Sequence, residues 1–250
     1  MPPLPRNSEP EDLADNLAAR GSRCPIPATH DRLFEVHHWW HEIARWYQEP
    51  DPFRYALGAF VQAARGVTLM LQTEKEAFKD FGWYGEWADA AKKDPLLRWL
   101  NETRVELVHR KALEPHSWLE MRCLENPHDP FGEDEDPVRL KVSPFMCTHY
   151  YMNQGPHTDH THEYIRHWSM DGLGQRELLE VSADIYDRLD EVVRVAHERL
   201  GANMSSHRRA GSRRALPCIE DLTRFRVVRT TLKDGKEVWL DEPPGLHSHK

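Results

Sequence analysis

Four amphipathic segments, separated by only a few residues, constrain the fold of this chain more than any other feature. In the first, from about Asp31 to Gln48, apolar residues recur at steps of three and four and therefore share one helical face. The next three segments cover about residues 52–72, 76–92 and 94–111. Because helices joined by short connections pack as antiparallel neighbours, the pattern predicts an up-down helical bundle.

Two of these helices are predicted to begin at an Asp-Pro pair. Asp51-Pro52 opens the second segment and Asp94-Pro95 opens the fourth. An aspartate can accept hydrogen bonds from the amides of the first turn, and proline suits that turn because its missing N–H costs nothing there. The second segment carries apolar residues most of the way round, which predicts a central place in the bundle.

The helical periodicity stops near the middle of the chain, where strand-like segments replace it. Segments 116–124 and 138–152 have strand character, and a His-rich turn is predicted over 153–168. A strong amphipathic helix follows from about Gln175 to Leu200, and its apolar face is expected to pack on the bundle. The chain closes with a predicted hairpin around Asp234-Gly235. The predicted fold class is therefore mainly α, with a small strand and hairpin appendage in the C-terminal half.

This pattern divides the chain into four predicted units. The first is a Pro-rich arm whose composition is typical of disorder, and the last combines a basic linker with the hairpin. The units cover residues 1–28 (arm), 29–125 (bundle), 126–202 (strands, loop and long helix) and 203–250 (linker and hairpin).

Composition and charge exclude several classes of function. The net charge of -8 gives no overall attraction for nucleic acid or anionic membranes, so any RNA contact requires a local basic patch. No apolar stretch approaches the roughly 18 residues that cross a bilayer, and the start carries no signal sequence, so we expect a cytoplasmic protein without a membrane partner. The cysteines are far apart and form no CxxC pair, which favours reduced thiols over a disulfide frame or zinc knuckle. They are Cys24, Cys123, Cys147 and Cys218.

The second and fourth segments resemble bacterial proteins of the HEPN superfamily, over about residues 30–125. The resemblance is carried by the stretches DPFRYALGAFVQAARGVTLMLQ (51–72) and DPLLRWLNETRVELVHRKAL (94–113). The family shares a central helix ending in an R-x-VT stretch, followed by a helix that begins with DP and carries an Arg–polar–x3–His motif. The matching positions are Arg65, Val67, Thr68, Asp94, Pro95, Arg104 and His109, with Val105 where the family usually has a polar residue.

The resemblance implies a metal-independent ribonuclease at a homodimer interface, with Arg104 and His109 as the catalytic pair and no cofactor. RNA cleavage by its own 2′-OH needs a proton acceptor for that hydroxyl, a proton donor for the leaving oxygen and positive charge near the phosphorus. Histidine titrates near neutral pH, and arginine presents a fork of donors that suits phosphate. RNA, a second copy of the chain and an antitoxin or regulatory protein are the expected partners of such a toxin or phage-defence enzyme.

Spacing decides how Arg104 and His109 can meet. At about 100° per residue, five residues place the two side chains about 140° apart around a regular helix. They converge only if the helix ends or kinks between them, or if the partner subunit supplies one of them.

Two alternatives to the ribonuclease stay open. Val105 and the acidic net charge favour a catalytically inactive HEPN-like module that binds a partner or dimerises. A metal-dependent hydrolase would instead use the His-rich turn, where His157, His160 and His162 offer imidazoles at a spacing that zinc accepts.

A basic cluster lies in the predicted linker between the long helix and the hairpin. Its arginines could follow a phosphate backbone as an RNA-binding patch, or they could form a solvated linker in an acidic protein. They are Arg208, Arg209, Arg213 and Arg214.

Overall fold

The computed structural model describes residues 24–124, 138–152, 161–202, 226–231 and 237–242. The chain is mainly helical, as predicted, with an antiparallel sheet built from the C-terminal half. No helix within these residues is long and apolar enough to span a membrane.

The N-terminal half forms the bundle. Its four helices are α1 (Pro27–Arg45), α2 (Pro50–Thr73), α3 (Gly82–Ala91) and α4 (Pro95–His109). Helix α1 packs along α2, and α2 packs along α4.

Helix α1 begins at Pro27, four residues before the predicted start at Asp31. The reason is a contact between helices, because the Glu74 carboxylate at the end of α2 accepts hydrogen bonds from the amides of Ala28 and Thr29 at 2.8 and 2.9 Å. Ile26, just before the helix, is completely buried. Residues 24–28 therefore belong to the fold, and the predicted disordered arm over 1–28 was wrong for them; the rest of the arm lies outside the described residues.

The predicted third helix over 76–92 was wrong in its first part. A short 3-10 turn (Lys75–Ala77) is followed by extended backbone at Phe78, and α3 starts only at Gly82. The Asp80 carboxylate accepts a hydrogen bond from the Gly82 amide at 2.7 Å, which fixes the start of α3. The segment therefore folds as two elements because Asp80 forms a local turn that competes with the helix.

The two Asp-Pro pairs behave differently. Asp94 caps α4 as predicted, accepting hydrogen bonds from the amides of Leu96 and Leu97 at 2.8 and 3.1 Å. Asp51 does not cap α2, because that helix starts one residue earlier, at Pro50, and the Asp51 carboxylate pairs with Arg54 at 2.6 Å.

The central place of α2 is confirmed by its burial. Its apolar residues face α1 on one side and α4 on another, and Gly58 lies close to Leu107 of α4. The buried residues of α2 are Pro50, Phe53, Ala56, Leu57, Gly58, Phe60, Val61, Ala63, Ala64, Val67, Thr68 and Leu71.

A five-stranded antiparallel sheet stands beside the bundle. Its strands are β1 (His116–Leu124), β2 (Val138–Val142), β3 (Thr161–Ser169), β4 (Arg226–Thr231) and β5 (Glu237–Glu242). They lie in the order β2-β1-β3-β4-β5. The predicted strand at 116–124 and the predicted terminal hairpin are confirmed, and both belong to this one sheet.

Two predictions for the sheet region were wrong. The end of the predicted strand 138–152 is a short helix, α5 (Thr148–Met152), because Thr148 hydrogen-bonds to the backbone and side chain of Gln48 in the α1–α2 connection. The predicted His-rich turn over 153–168 becomes strand β3 from Thr161 onward, because it pairs on both sides, with β1 and β4.

The long helix α6 (Leu178–Arg199) packs against α1 and α2. Its prediction over about 175–200 is confirmed, and Gly201, with a φ of +66°, follows its end in the left-handed conformation that glycine adopts easily. Trp168 of β3 extends the same core, since its ring stacks on Phe53 with centroids 4.3 Å apart.

One buried arginine joins strand β3 to β1 and to the segment that follows β2. Arg166 of β3 is 1% exposed and donates to the Ser117 hydroxyl at 3.0 Å and to the backbone oxygens of Met146 and Ser143 at 2.7 and 3.2 Å. Its guanidinium also lies 4.2 Å from the ring centre of Trp168. Burial lowers the pKa of Arg166 to about 10, so the side chain stays charged at neutral pH and these acceptors stabilise that charge.

Candidate functional site

Arg65, in the R-x-VT stretch of α2, contacts α4 where the two helices lie side by side. Arg65 of α2 donates from Nε to the Asn101 amide oxygen at 3.1 Å and also hydrogen-bonds to the Thr68 hydroxyl. Asn101 lies three residues before Arg104 on α4, so the two share one side of the helix. The structure therefore links the R-x-VT stretch of α2 to the part of α4 that carries Arg104.

Arg104 and His109 do not come together within one chain. Helix α4 is regular through both residues, and the Arg110 amide still donates to the Glu106 carbonyl at 2.8 Å. The two side chains therefore lie about 140° apart around the helix. Arg104 is half-buried and His109 is exposed, and neither makes a hydrogen bond or ion pair with any residue that the structure describes.

The surface around this pair is partly apolar and partly cationic. Val105 and Val108 are 37% and 46% exposed, and His109 and Arg110 follow them at the helix end. Cations at a helix C-terminus interact favourably with the partial negative charge of its last carbonyls. We call Arg104, Val105, Val108, His109 and Arg110 the α4 end surface.

Most of the other residues predicted from the sequence lie outside the described residues. His162 lies within β3, opposite Cys123 of β1 and Arg229 of β4, but its side chain is not among those described. The metal-dependent alternative and the basic patch therefore stay predictions. The residues outside the described ranges are His157, His160, Arg208, Arg209, Arg213 and Arg214.

His167, the last histidine of the predicted His-rich turn, is held by carboxylates and an aromatic ring. Its ring stacks on Trp118, with centroids 5.1 Å apart and an angle of 11° between planes. Its two ring nitrogens lie 3.4 Å from Glu120 and 3.7 Å from Glu177. Glu177 also accepts a hydrogen bond from the Trp168 amide at 2.9 Å, so this group joins β1, β3 and the start of α6.

Sequence reasoning missed a second constellation, at the start of α1 and the end of α6. The Cys24 sulfur lies 3.3 Å from His30 Nδ1 and 3.3 Å from His197 Nε2. The three candidate ligand atoms all lie within 4.8 Å of one another. We call Cys24, His30 and His197 the α1–α6 junction.

The α1–α6 junction is largely shielded from solvent. His197 is completely buried, His30 is nearly so, and Cys24 is a half-buried free thiol. The pKa of the Cys24 thiol is raised, chiefly by burial; a backbone hydrogen bond at Ile26 opposes this rise and the negative charge of Glu74 adds to it. The only sequence signal was the Cys-x5-His spacing, since His197 lies 173 residues from Cys24.

A comparison with protein families gives one match. The family model described as bacteriophage lambda protein ea47 matches residues 18–243, which include every helix and strand described above. Searches of curated proteins and of solved structures each found no match. The resemblance to the HEPN superfamily therefore stays a prediction.

Proposed function

The chain belongs to the family of bacteriophage lambda protein ea47, and we propose that it is a metal-independent endoribonuclease that works as a homodimer. The observation that carries the proposal is the position of His109, exposed at the last residue of α4 and engaged by no described residue. Such an imidazole is available to a bound RNA, and histidine is the side chain that most often serves as a general acid or base in enzymes. It can therefore accept the 2′-OH proton or return a proton to the leaving 5′-oxygen.

Arg104 supplies the second group that the reaction needs. Its guanidinium suits a phosphate oxygen because it offers several donors in one plane. Asn101 lies about one turn before Arg104 on α4 and accepts a hydrogen bond from Arg65 of α2. Arg104 therefore lies on the side of α4 that faces Arg65. Arg104 thus contributes positive charge to the transition state, while His109 moves the proton.

Arg104 and His109 lie on different sides of α4, which supports a site made by two copies of the chain. Because α4 is regular through Arg104 and His109, one chain cannot place both on the same phosphate without deforming the helix. Val105 and Val108, exposed between them, offer an apolar surface that a second copy would cover. In a two-fold dimer, Arg104 of one copy would then stand beside His109 of the other.

The direct test is cleavage of total RNA by the purified full chain in EDTA. Wild type should cleave, His109→Ala should not, and His38→Ala should retain activity because His38 is an exposed histidine of α1 away from the motif. Absence of cleavage by wild type, or equal cleavage by His109→Ala, contradicts the proposal. Cleavage that EDTA abolishes would point instead to the hydrolase alternative at His157, His160 and His162.

The dimer is tested separately by analytical ultracentrifugation. Val108→Asp places a charge on the exposed apolar part of the α4 end surface and should convert a dimer to a monomer without unfolding it, because Val108 is 46% exposed. Val138→Asp, on a valine of β2 that is 51% exposed, is the matched control and should leave the dimer intact.

A catalytically inactive binding or dimerisation module is the second candidate. Val105, exposed beside Arg104 where the resembled family usually has a polar residue, favours it. This candidate predicts the same loss of dimer in Val108→Asp but no cleavage of RNA by wild type. The two assays together therefore separate the candidates.

The proposed biological setting is a toxin or phage-defence ribonuclease restrained by an antitoxin or regulatory protein. The family's bacteriophage name is consistent with this setting. Replacing the basic cluster with alanine should weaken RNA binding and reduce its salt dependence, because each lost cation removes one phosphate contact. The positions are Arg208, Arg209, Arg213 and Arg214.

A further inference from the structure

We propose that Cys24, His30 and His197 bind a transition metal ion of the zinc class. The three residues bring one sulfur and two ring nitrogens within 4.8 Å of one another between α1 and α6. This site is separate from the α4 end surface, and its test does not depend on ribonuclease activity.

The distances suit a tetrahedral ion. Zinc binds thiolate sulfur at about 2.3 Å and imidazole nitrogen at about 2.0–2.1 Å, so sulfur and nitrogen ligands of one ion lie about 3.5 Å apart. The observed separations from Cys24 Sγ to His30 Nδ1 and to His197 Nε2 are both 3.3 Å. All three donor atoms lie within 4.8 Å of one another, so small adjustments of the side chains, above all of Cys24, the most exposed of the three, would seat an ion among them.

The orientation of His197 is that of a metal ligand. Its Nδ1 lies 2.8 Å from the Val193 carbonyl oxygen, so it donates there and leaves the lone pair of Nε2 facing Cys24. Metal-binding histidines commonly fix their second nitrogen in this way. A single cation accepts electron pairs from Cys24, His30 and His197 together.

The surroundings hold the ligands in place and balance the charge. The Glu74 carboxylate binds the amides of Ala28 and Thr29, which fixes the first turn of α1 and thereby His30. The complex of a divalent ion with one thiolate and two neutral imidazoles carries one net positive charge. The negative charge of Glu74, which acts on Cys24, balances this positive charge.

The donor set selects the kind of ion. Sulfur with two imidazoles favours zinc, or cobalt as its spectroscopic substitute, over magnesium or calcium, which prefer oxygen. Three protein ligands leave a fourth position for water or an added ligand. The ion would clamp the segment before α1 to the last turn of α6.

The test titrates Co²⁺ into the full chain after removal of metals. Wild type should develop a thiolate-to-cobalt charge-transfer band and the strong visible bands of tetrahedral Co²⁺. Zn²⁺ should displace the cobalt at one ion per chain, and both signals should then disappear. Cys24→Ser should lose the charge transfer and weaken zinc binding by more than about 100-fold. Cys147→Ser, on another half-buried free cysteine, should match wild type.

Two further variants keep the result interpretable. His30→Gln, with its fold checked by circular dichroism, should weaken zinc as Cys24→Ser does, and replacing His157, His160 and His162 with alanine should leave the cobalt spectrum unchanged. The proposal is overturned by a wild type without charge transfer. A spectrum that persists in Cys24→Ser, or that disappears in Cys147→Ser, overturns it as well.

Discussion

The α4 end surface and the α1–α6 junction are opposite cases of how a chain brings chemical groups together. Arg104 and His109 lie five residues apart in sequence, yet the regular helix keeps them on different sides and leaves His109 exposed. Cys24 and His197 lie 173 residues apart, yet the fold brings them to 3.3 Å in a largely buried place. Closeness in sequence thus leaves Arg104 and His109 apart, whereas the fold gathers Cys24, His30 and His197 from distant parts of the chain.

The largest effect is expected on RNA cleavage, for a substitution in the α4 end surface. If His109 transfers the proton, His109→Ala should lower the rate of RNA cleavage by about 100-fold to 10,000-fold, the range for loss of a general acid or base. Its free energy of unfolding should change by less than about 0.5 kcal/mol, because the side chain is exposed and makes no described contact. A fluorescent RNA cleavage assay and urea unfolding measure the two quantities. A large loss of stability would show that the residue is structural.

The next largest effect is on the free energy of unfolding, and it should differ between the buried Arg166 and the half-buried Arg104. Arg166→Met should lower the free energy of unfolding by about 3 kcal/mol, because it removes the hydrogen bonds that the buried guanidinium donates to Ser117, Ser143 and Met146. Arg104→Met should cost less than about 0.5 kcal/mol, because Arg104 makes no described hydrogen bond or ion pair. Urea unfolding of both variants measures the contrast, and equal costs would contradict it.

Zinc should stabilise the α1–α6 junction and leave the α4 end surface unaffected. At about 100 times its Kd, an ion that binds only the folded chain adds about 2.7 kcal/mol to the free energy of unfolding. The rise in Tm should be present in wild type and His109→Ala and absent in Cys24→Ser. Differential scanning calorimetry with and without zinc measures it, and an equal rise in Cys24→Ser would contradict the assigned ligands.

The smallest predicted effect is on the free energy of unfolding, for a substitution at the start of α4 rather than at its end. Asp94 caps the helix and its carboxylate also lies 2.7 Å from Arg188 of α6, so Asp94→Ala should cost about 1–2 kcal/mol. Burial raises the pKa of Asp94, but Arg188 and the amides of Leu96 and Leu97 outweigh it, and the net shift is downward. The stabilisation is therefore present above the ordinary carboxylate pKa and is lost as the pH falls through the lowered value.

Urea unfolding of wild type and Asp94→Ala, at neutral pH and near pH 2, checks this last prediction. The difference between the two proteins should shrink at low pH. Glu102→Ala, an exposed residue further along α4, is the control and should show little effect at either pH. A difference that grows on acidification would contradict the role of Asp94.

Local patterns predicted what local forces decide. The stripes of α2 and α6 predicted their helices because burial of one face follows directly from spacing, and Asp94 predicted its cap because the bond spans two or three residues. The start of α1 could not be predicted in the same way, since its amides are bound by Glu74, which comes 45 residues later than Thr29.

Long-range pairing explains what the sequence did not reveal. Strand β3 was interpreted as a turn because its histidines and charges hide the alternation, and its pairing with β1 and β4 comes from distant parts of the chain. Cys24 was interpreted as an isolated thiol because its partners His30 and His197 form no local motif. Arg166 raised no signal at all, since a buried arginine is identifiable only from its acceptors.

A mixture of two inactive variants tests the proposed composite site most directly. Arg104→Ala and His109→Ala, mixed and reassociated at equal concentration, would give half mixed dimers, each with one of its two sites intact if Arg104 and His109 come from different copies. Cleavage should then return to about a quarter of the wild-type rate, while each variant alone stays inactive. A mixture as inactive as its components, with exchange of subunits verified, would contradict a site shared between two copies.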